Sequence, residues 1–397
     1  MTAISEPEKM GFSTERLVRV NELMERYVSE GKVAGFVTLV ARRNEVIYFD
    51  KFGYQDVVNK ISMELDTIFR IYSMTKPITS VAFMMLHEQG LVRLEDNVSK
   101  YIPEFSDLKI VGSDGQLEPL EKEITIHMLM THTAGLSYAE YEPVLAKYYL
   151  EPYIWDHEST LEQFIEQIVE LPQLYQPGEK WHYSMATDVV GRLIEILADT
   201  PIADFFEEKL FKPLGMIDTG YSVPEEKLNR FAVLYGPEGN DLLATIDEKA
   251  SGVYSDPKLH SGGHGLVSTA QDYLNFAQMV LNMGEFDGVR FLGPRTVEYM
   301  SRNHLRPELL PWVMDVPWPG MGFGLGFSVV MDPAQAETMS SAGTIGWGGA
   351  ASTNFWIDPA EEIIGILLLQ LWPSYTYPTT NDFRTAVYQA LIESGAK

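Results

Sequence analysis

The sequence predicts an α/β domain joined to an all-α one: an antiparallel sheet assembled from both ends of the chain, flanked by terminal helices, with a mainly helical domain inserted between. Three observations predict it. Strand-like runs follow an amphipathic helix near the start, further strand-like runs precede a helix near the end, and helical spacing dominates the middle. The expected sheet domain takes residues 1–75 and 223–397, the helical domain residues 76–222, and the site lies at their interface.

Element by element, Ser13 is a candidate N-cap for a helix carrying Leu17, Val20, Leu23, Met24 and Tyr27 at helical spacing, ended by Gly31. GFVTLVAR from Gly35 and EVIYFDKFG from Glu45 are separated by Arg43 and Asn44, the pattern of an antiparallel hairpin. A third short run, TIFRIY, leads into Ser73. ITSVAFMMLHEQG, apolar on nearly every side, reads as a buried helix ending at Gly90. Further helices are expected from Ile124, Ser159, Thr187 and Ala203. GFGLGFSVVMDP, GGAASTNFWIDP and EIIGILLLQLW then read as a three-stranded meander, and a closing helix follows Asn381 as its cap.

Composition narrows the function classes. With 56 acidic against 30 basic residues the formal charge is −26, a surface that repels nucleic acid and anionic membranes. The absence of cysteine removes disulfides, thiolate metal sites and cysteine nucleophiles. The N-terminus lacks the basic start and apolar core of a secretory signal, and the longest apolar runs are too short to span a bilayer, so a cytoplasmic protein is expected. A monomer or small homo-oligomer is expected, without metal or cofactor. His260 and His264 stand four apart, but in the glycine-rich LHSGGHG, which cannot present both rings to one metal from a continuous helix.

Ser-x-x-Lys occurs five times, at Ser29, Ser73, Ser106, Ser255 and Ser394. Ser29 and Ser394 sit at polar ends of terminal helices, and Ser106 and Ser255 in loop-like stretches. Ser73 alone lies between a strand-like run and a buried helix, where orphan N–H groups and the helix dipole favour developing negative charge. Lys76 follows one turn later on the same face. By spacing alone Ser73 is equally a capping serine beside a solvated lysine. A Gly-x-Ser-x-Gly elbow and a phosphate loop are absent, leaving a serine hydrolase without an elbow as the enzymatic reading.

FRIYSMTKPITS resembles the first signature of the serine β-lactamase and penicillin-binding-protein superfamily, and in detail the family VIII esterases of class C β-lactamase fold. LVRLEDNVSKYIPEF from Leu91, ITIHMLMTHTAGL from Ile124, QPGEKWHYSMATDVVGRLIE from Gln176, KPLGMIDTGY from Lys212, GGHGLVSTAQDY from Gly262 and GWGGAASTNFW from Gly346 follow in the family's order. The resemblance implies that Ser73 is acylated, with Lys76 its partner and Tyr183 the tyrosine of the second motif. An ammonium beside Tyr183 stabilises its phenolate, so the tyrosine can shuttle a proton. Without the resemblance, Tyr183 reads as an ordinary half-buried tyrosine. Trp347-Gly348-Gly349 stands where β-lactamases carry Lys-Thr-Gly, and the N–H groups of Ser73 and Ala350 are the implied oxyanion donors.

Two departures bear on substrate. Trp347 removes the charge that would hold a lactam or peptide carboxylate, a loss of about 1.5–3 kcal/mol, and Met185 replaces a side-chain amide. Both make the expected pocket, formed by Trp347, Gly348, Gly349, Met185 and Tyr138, more apolar and suited to a neutral small-molecule ester. Tyr141, Tyr148, Tyr149, Tyr153, Trp155, Trp312 and Trp318 are further aromatic candidates. The expectation is a serine carboxylesterase for short to medium acyl chains; alternatives are an acyltransferase, a weak β-lactamase or peptidase, and a catalytically silent binding relative.

Overall fold

Residues 4–112, 114–138, 144–145, 148, 158–239, 242–247 and 253–395 are described by the structure, a computed structural model. Eight strands form one sheet. From the first end of the chain come β1 (Gly35–Arg42), β2 (Glu45–Asp56) and β3 (Ile61–Ser62); from the last come β4 (Met321–Phe323), β5 (Ser328–Val330), β6 (Ile345–Gly348), β7 (Asn354–Asp358) and β8 (Ile363–Leu368). Their order is β4-β5-β6-β7-β8-β1-β2-β3, and every pairing is antiparallel. The two ends of the chain meet where β8 pairs with β1, from Val37 opposite Leu368 to Arg42 opposite Ile363.

Period-two alternation divides β1 between two cores. Phe36 and Val40 pack with Leu17, Val20 and Met24 of α1 (Thr14–Ser29). Val37, Leu39 and Ala41 join a larger core that includes Ile78 and Phe83 of α2 (Thr75–Glu88). All eight residues of β1 are buried, which explains its nearly uninterrupted apolar run. Ser13 caps α1, its side chain accepting the Arg16 N–H. The larger core continues through α3 (Leu161–Val169) and α4 (Ala186–Ala198) and reaches α5 (Ala270–Leu281), while α6 (Thr379–Tyr388) covers the same sheet face as α1.

Four local expectations need correction. GFGLGFSVVMDP is not one strand but the hairpin β4–β5, closed where Gly324 N donates to Phe327 O at 2.8 Å. TIFRIY contributes only Phe69–Arg70, which pair with Val267–Ser268 outside the main sheet. The closing helix starts at Thr379, so Asn381 lies inside its first turn and does not cap it. The hairpin of Leu234–Glu238 with Leu242–Asp247 was not expected at all. For Phe69–Arg70 a strand distant in sequence decides the backbone; in the other cases a tight reversal or a helix onset does, and local composition does not specify either. Among the described residues no helix is long and apolar enough to cross a membrane.

Candidate active site

Ser73 lies in a 3₁₀ turn, Tyr72–Met74, that runs directly into α2. The preceding Tyr72 has φ +43°, a left-handed conformation that costs a non-glycine residue energy and that clusters at functional sites. This turn leaves Ser73 half-buried while α2 beneath it is almost wholly enclosed. Lys76 is 1% exposed. Its Nζ donates to Ser73 Oγ at 3.3 Å, to Tyr138 OH at 2.8 Å and to the Gly263 carbonyl at 2.7 Å. The same Nζ stands 4.7 Å from the centre of the Tyr183 ring.

Of the other Ser-x-x-Lys matches, none whose serine and lysine are both described joins such a cluster, and Lys397 lies outside the described residues. Ser29 bonds the Arg26 carbonyl at a helix end, and Lys32 pairs with Glu30. Lys258 pairs with Glu158 across the surface, and Ser394 meets Glu361. Ser106 ends an isolated 3₁₀ turn. Burial of the amine beside its hydroxyl is what separates Ser73 from them.

Tyr183 enters from the segment before α4 and is half-buried. Trp347 Nε1 donates to its hydroxyl at 3.3 Å, so the residue that replaced lysine is bonded to the tyrosine. An aromatic cage holds the ring: His132 at 4.9 Å, Tyr138 and Trp347 at 5.4 Å, and Trp181 stacked at 6.2 Å. Phe323 closes the cage behind His132 and Trp347.

The strand side is set by Gly349. A Cβ there would fall 2.4 Å from the Ile71 carbonyl and 2.3 Å from Thr353 Oγ1, so the β6–β7 turn packs backbone against backbone beside Ser73. Gly349 N donates to Thr353 O and Ser352 N to Gly349 O, fixing the turn that carries Ala350. Ser73, Tyr183, Trp347, Gly348, Gly349 and Ala350 all line one cavity of about 420 Å³. Its far walls include Trp312 and Trp318, stacked at 5.2 Å, and it extends to Asn381 and Arg384 of α6.

Two expected pocket residues lie elsewhere. Met185 is 0% exposed and packs in the core at the start of α4, because its position turns inward where the helix begins; it is not a cavity wall. Tyr138 also lies outside the cavity walls, its hydroxyl being taken up by Lys76. Tyr141, Tyr149, Tyr153 and Trp155 lie outside the described residues. His260 stacks on Tyr221 while His264 Nδ1 meets Ser261 Oγ, so the two rings serve different contacts. Among the described residues no group of three or more acidic or histidine side chains could hold a metal. Sequence reasoning missed His132, Trp181 and Phe323 as the tyrosine's cage; the HTAGL run around His132 was the available signal.

The histidines near the site are held neutral. Burial, the Lys76 charge and His182 push the His132 imidazole well below its usual range. Burial and the Lys180 charge bring His182 down to about 4, and burial with His304 brings His127 to about 4. An unfolded chain protonates these rings near 6.5, so the folded state refuses protons that the unfolded state binds. Their stabilisation is therefore full above about pH 6.5 and lost as pH falls toward 4. We expect Tm to drop by several degrees between pH 6.5 and 4.5. His127→Gln and His182→Gln should each flatten that slope, as differential scanning calorimetry can measure; parallel slopes would exclude the histidines as its source.

An antiparallel sheet closed from both chain ends, with a serine and a tyrosine gathered around a buried lysine at the junction with a helical layer, is the architecture of the serine β-lactamase and penicillin-binding-protein class. The comparisons agree. Residues 20–390 match the family model described as Beta-lactamase, and the chain belongs to that family. It is 34% identical to an uncharacterized protein of Mycobacterium tuberculosis over 86% of this chain and 87% of that one. It is 31% identical to esterase EstB of Burkholderia gladioli, over 98% of this chain and all of that one. Among solved structures it resembles EstCE1, described as a hydrolase with promiscuous acyltransferase activity, at TM-score 0.80 and 29% identity, covering 94% and 99% of the two chains.

Proposed function

We propose that this chain hydrolyses neutral carboxylic esters with short to medium acyl groups through an acyl-enzyme on Ser73. The chain is a serine carboxylic-ester hydrolase; the substrate range and residue roles are our reading. One observation carries it: a half-buried serine hydroxyl lies 3.3 Å from a buried lysine amine that also faces the Tyr183 ring, at the wall of an aromatic cavity.

In this reading Ser73 Oγ attacks the ester carbonyl carbon while Tyr183, coupled to the Lys76 ammonium, takes the serine proton. The N–H groups of Ser73 and Ala350 hold the oxyanion. The C–O bond to the alcohol then breaks as Tyr183 returns the proton to the departing oxygen. Water enters, gives its proton to Tyr183, and attacks the acyl carbon; collapse frees the acid and reprotonates Ser73. Trp347 offers an indole N–H where a lysine charge would hold a carboxylate, which supports a neutral substrate. Quenching the enzyme during turnover of p-nitrophenyl butyrate should yield a Ser73 peptide heavier by one butyryl group. Modification of a different residue would sink the assignment.

The chain's charge and apolar cavity suit small-molecule esters, with neither nucleic acid nor membrane as partner, acting in the cytoplasm. Acyl transfer to an alcohol is a second reading, favoured by the likeness to EstCE1. Added methanol should then divert the acyl group to methyl ester without changing the rate of p-nitrophenol release when acylation limits. Trp318, stacked on Trp312 at the cavity wall, sets chain length in this reading. Trp318→Ala should raise kcat/KM for octanoyl over butyryl esters about fivefold to tenfold relative to wild type, a few buried methylenes being decisive. An unchanged chain-length profile would remove Trp318 from the pocket.

A further inference from the structure

Behind Lys76 lies a buried acid that the reaction scheme above does not use. Asp188, in the first turn of α4, is 0% exposed. Its Oδ1 accepts the Gly263 N–H at 3.1 Å and the Ser261 hydroxyl. Its Oδ2 is buried with no hydrogen-bond partner among the described residues. A carboxylate oxygen without a donor is costly unless a nearby charge balances it.

The balancing charge is at hand. A Cβ on Gly263 would stand 2.5 Å from Asp188 Oδ2 and 3.3 Å from Lys76 Nζ, so carboxylate and ammonium flank the same glycine. Any larger residue would push them apart or break the loop. The two peptide groups of Gly263 are also used in opposite directions. Its N–H is clamped by Asp188 and its carbonyl accepts from Lys76 at 2.7 Å. The neighbouring Gly262 carbonyl accepts from Thr79 Oγ1 of α2 at 2.6 Å, which locks the loop to the helix that carries Lys76.

We propose that Asp188 is a positioning residue for acyl transfer: by holding the Gly263 N–H it orients the Gly263 carbonyl onto Lys76 Nζ, and so fixes the amine beside Ser73 Oγ. The proposal rests on the ester-hydrolase reading of Ser73, Lys76 and Tyr183. The other polar and titratable groups around the carboxylate are few. Ser261 Oγ bonds it, and that hydroxyl also meets His264 Nδ1. Tyr221 donates to the Ser261 carbonyl at 2.9 Å and so supports the loop from the opposite side. Glu195, one of the charges felt by Tyr221, lies two turns along α4.

The test is Asp188→Ala in the full chain, which removes the acceptor of the Gly263 N–H, with Asp188→Asn, whose Oδ1 still accepts it, as the rescuing variant. With p-nitrophenyl butyrate, kcat of Asp188→Ala should fall about tenfold to a hundredfold with KM within about twofold of wild type. Asp188→Asn should keep kcat within about threefold of wild type, because the Gly263 N–H retains its acceptor. Titrating active sites by the acylation burst separates slower chemistry from a smaller folded fraction. An Asp188→Asn variant as slow as Asp188→Ala, or a loss of rate matched by fewer titratable sites, would overturn the proposal. If Ser73→Ala hydrolysed the ester as fast as wild type, the ester-hydrolase reading itself would fall. A dead Ser73→Ala variant beside an unaltered Asp188→Ala variant would overturn the positioning role alone.

Discussion

Ser73→Ala is expected to lower kcat/KM for a p-nitrophenyl ester by about 10,000-fold or more, since the nucleophile's loss removes the covalent route altogether. The fold should survive. Ser73 is half-buried in a short turn, and alanine removes a hydroxyl that accepts from the Lys76 amine at 3.3 Å, a long contact. The variant should therefore melt within a few degrees of wild type and still bind substrate, because the walls at Trp312, Trp318 and Trp347 are untouched. Stopped assays at high enzyme concentration would measure the residual rate. A loss under about tenfold would mean that another group carries the acyl chemistry.

Lys76→Met should cost about 1,000-fold in kcat, within the range associated with a positioned proton-transfer group. Methionine keeps the length and apolar stem but deletes the charge that faces the Tyr183 ring and the donor shared by Ser73, Tyr138 and Gly263. Leaving the Gly263 carbonyl and Asp188 without that cation destabilises the fold, so Tm should fall as well, and activity must be normalised to folded protein. Combining Lys76→Met with Tyr183→Phe is the sharper measurement. If the two act as one proton-handling unit, the double variant is scarcely slower than either single one; multiplied losses would show independent roles.

Much of the architecture is legible in the sequence. The hairpin β1–β2 announced itself by two β-rich runs around Arg43 and Asn44, both of which adopt the positive φ that such a turn requires. Burial of α2 followed from apolar residues on every face, and the cap at Ser13 from its residue type. By contrast the β4–β5 hairpin looked like a single strand, because its reversal rests on a turn whose glycines resemble those of any flexible run. Met185 was misplaced for a related reason: its neighbour Tyr183 faces the site, and only the onset of α4 decides that the side chain two positions on turns into the core.

The sequence alone singled out Ser73, the one Ser-x-x-Lys match followed by a helix too apolar to be exposed. It also determined the loss of a fixed cation at Trp347, because a residue type is not altered by folding. Tertiary structure decided the rest. Tyr138 became a partner of Lys76 from 62 positions away, Gly263 from 187, and Trp347 reached Tyr183 across 164. Hydrogen bonds and ring contacts between such distant residues depend on packing of whole layers, for which a local window of sequence holds no signal. The Asp188 carboxylate is the plainest case: in the sequence it is one more acidic residue near a helix start, and only the burial that sets it on the Gly263 N–H gives it a use.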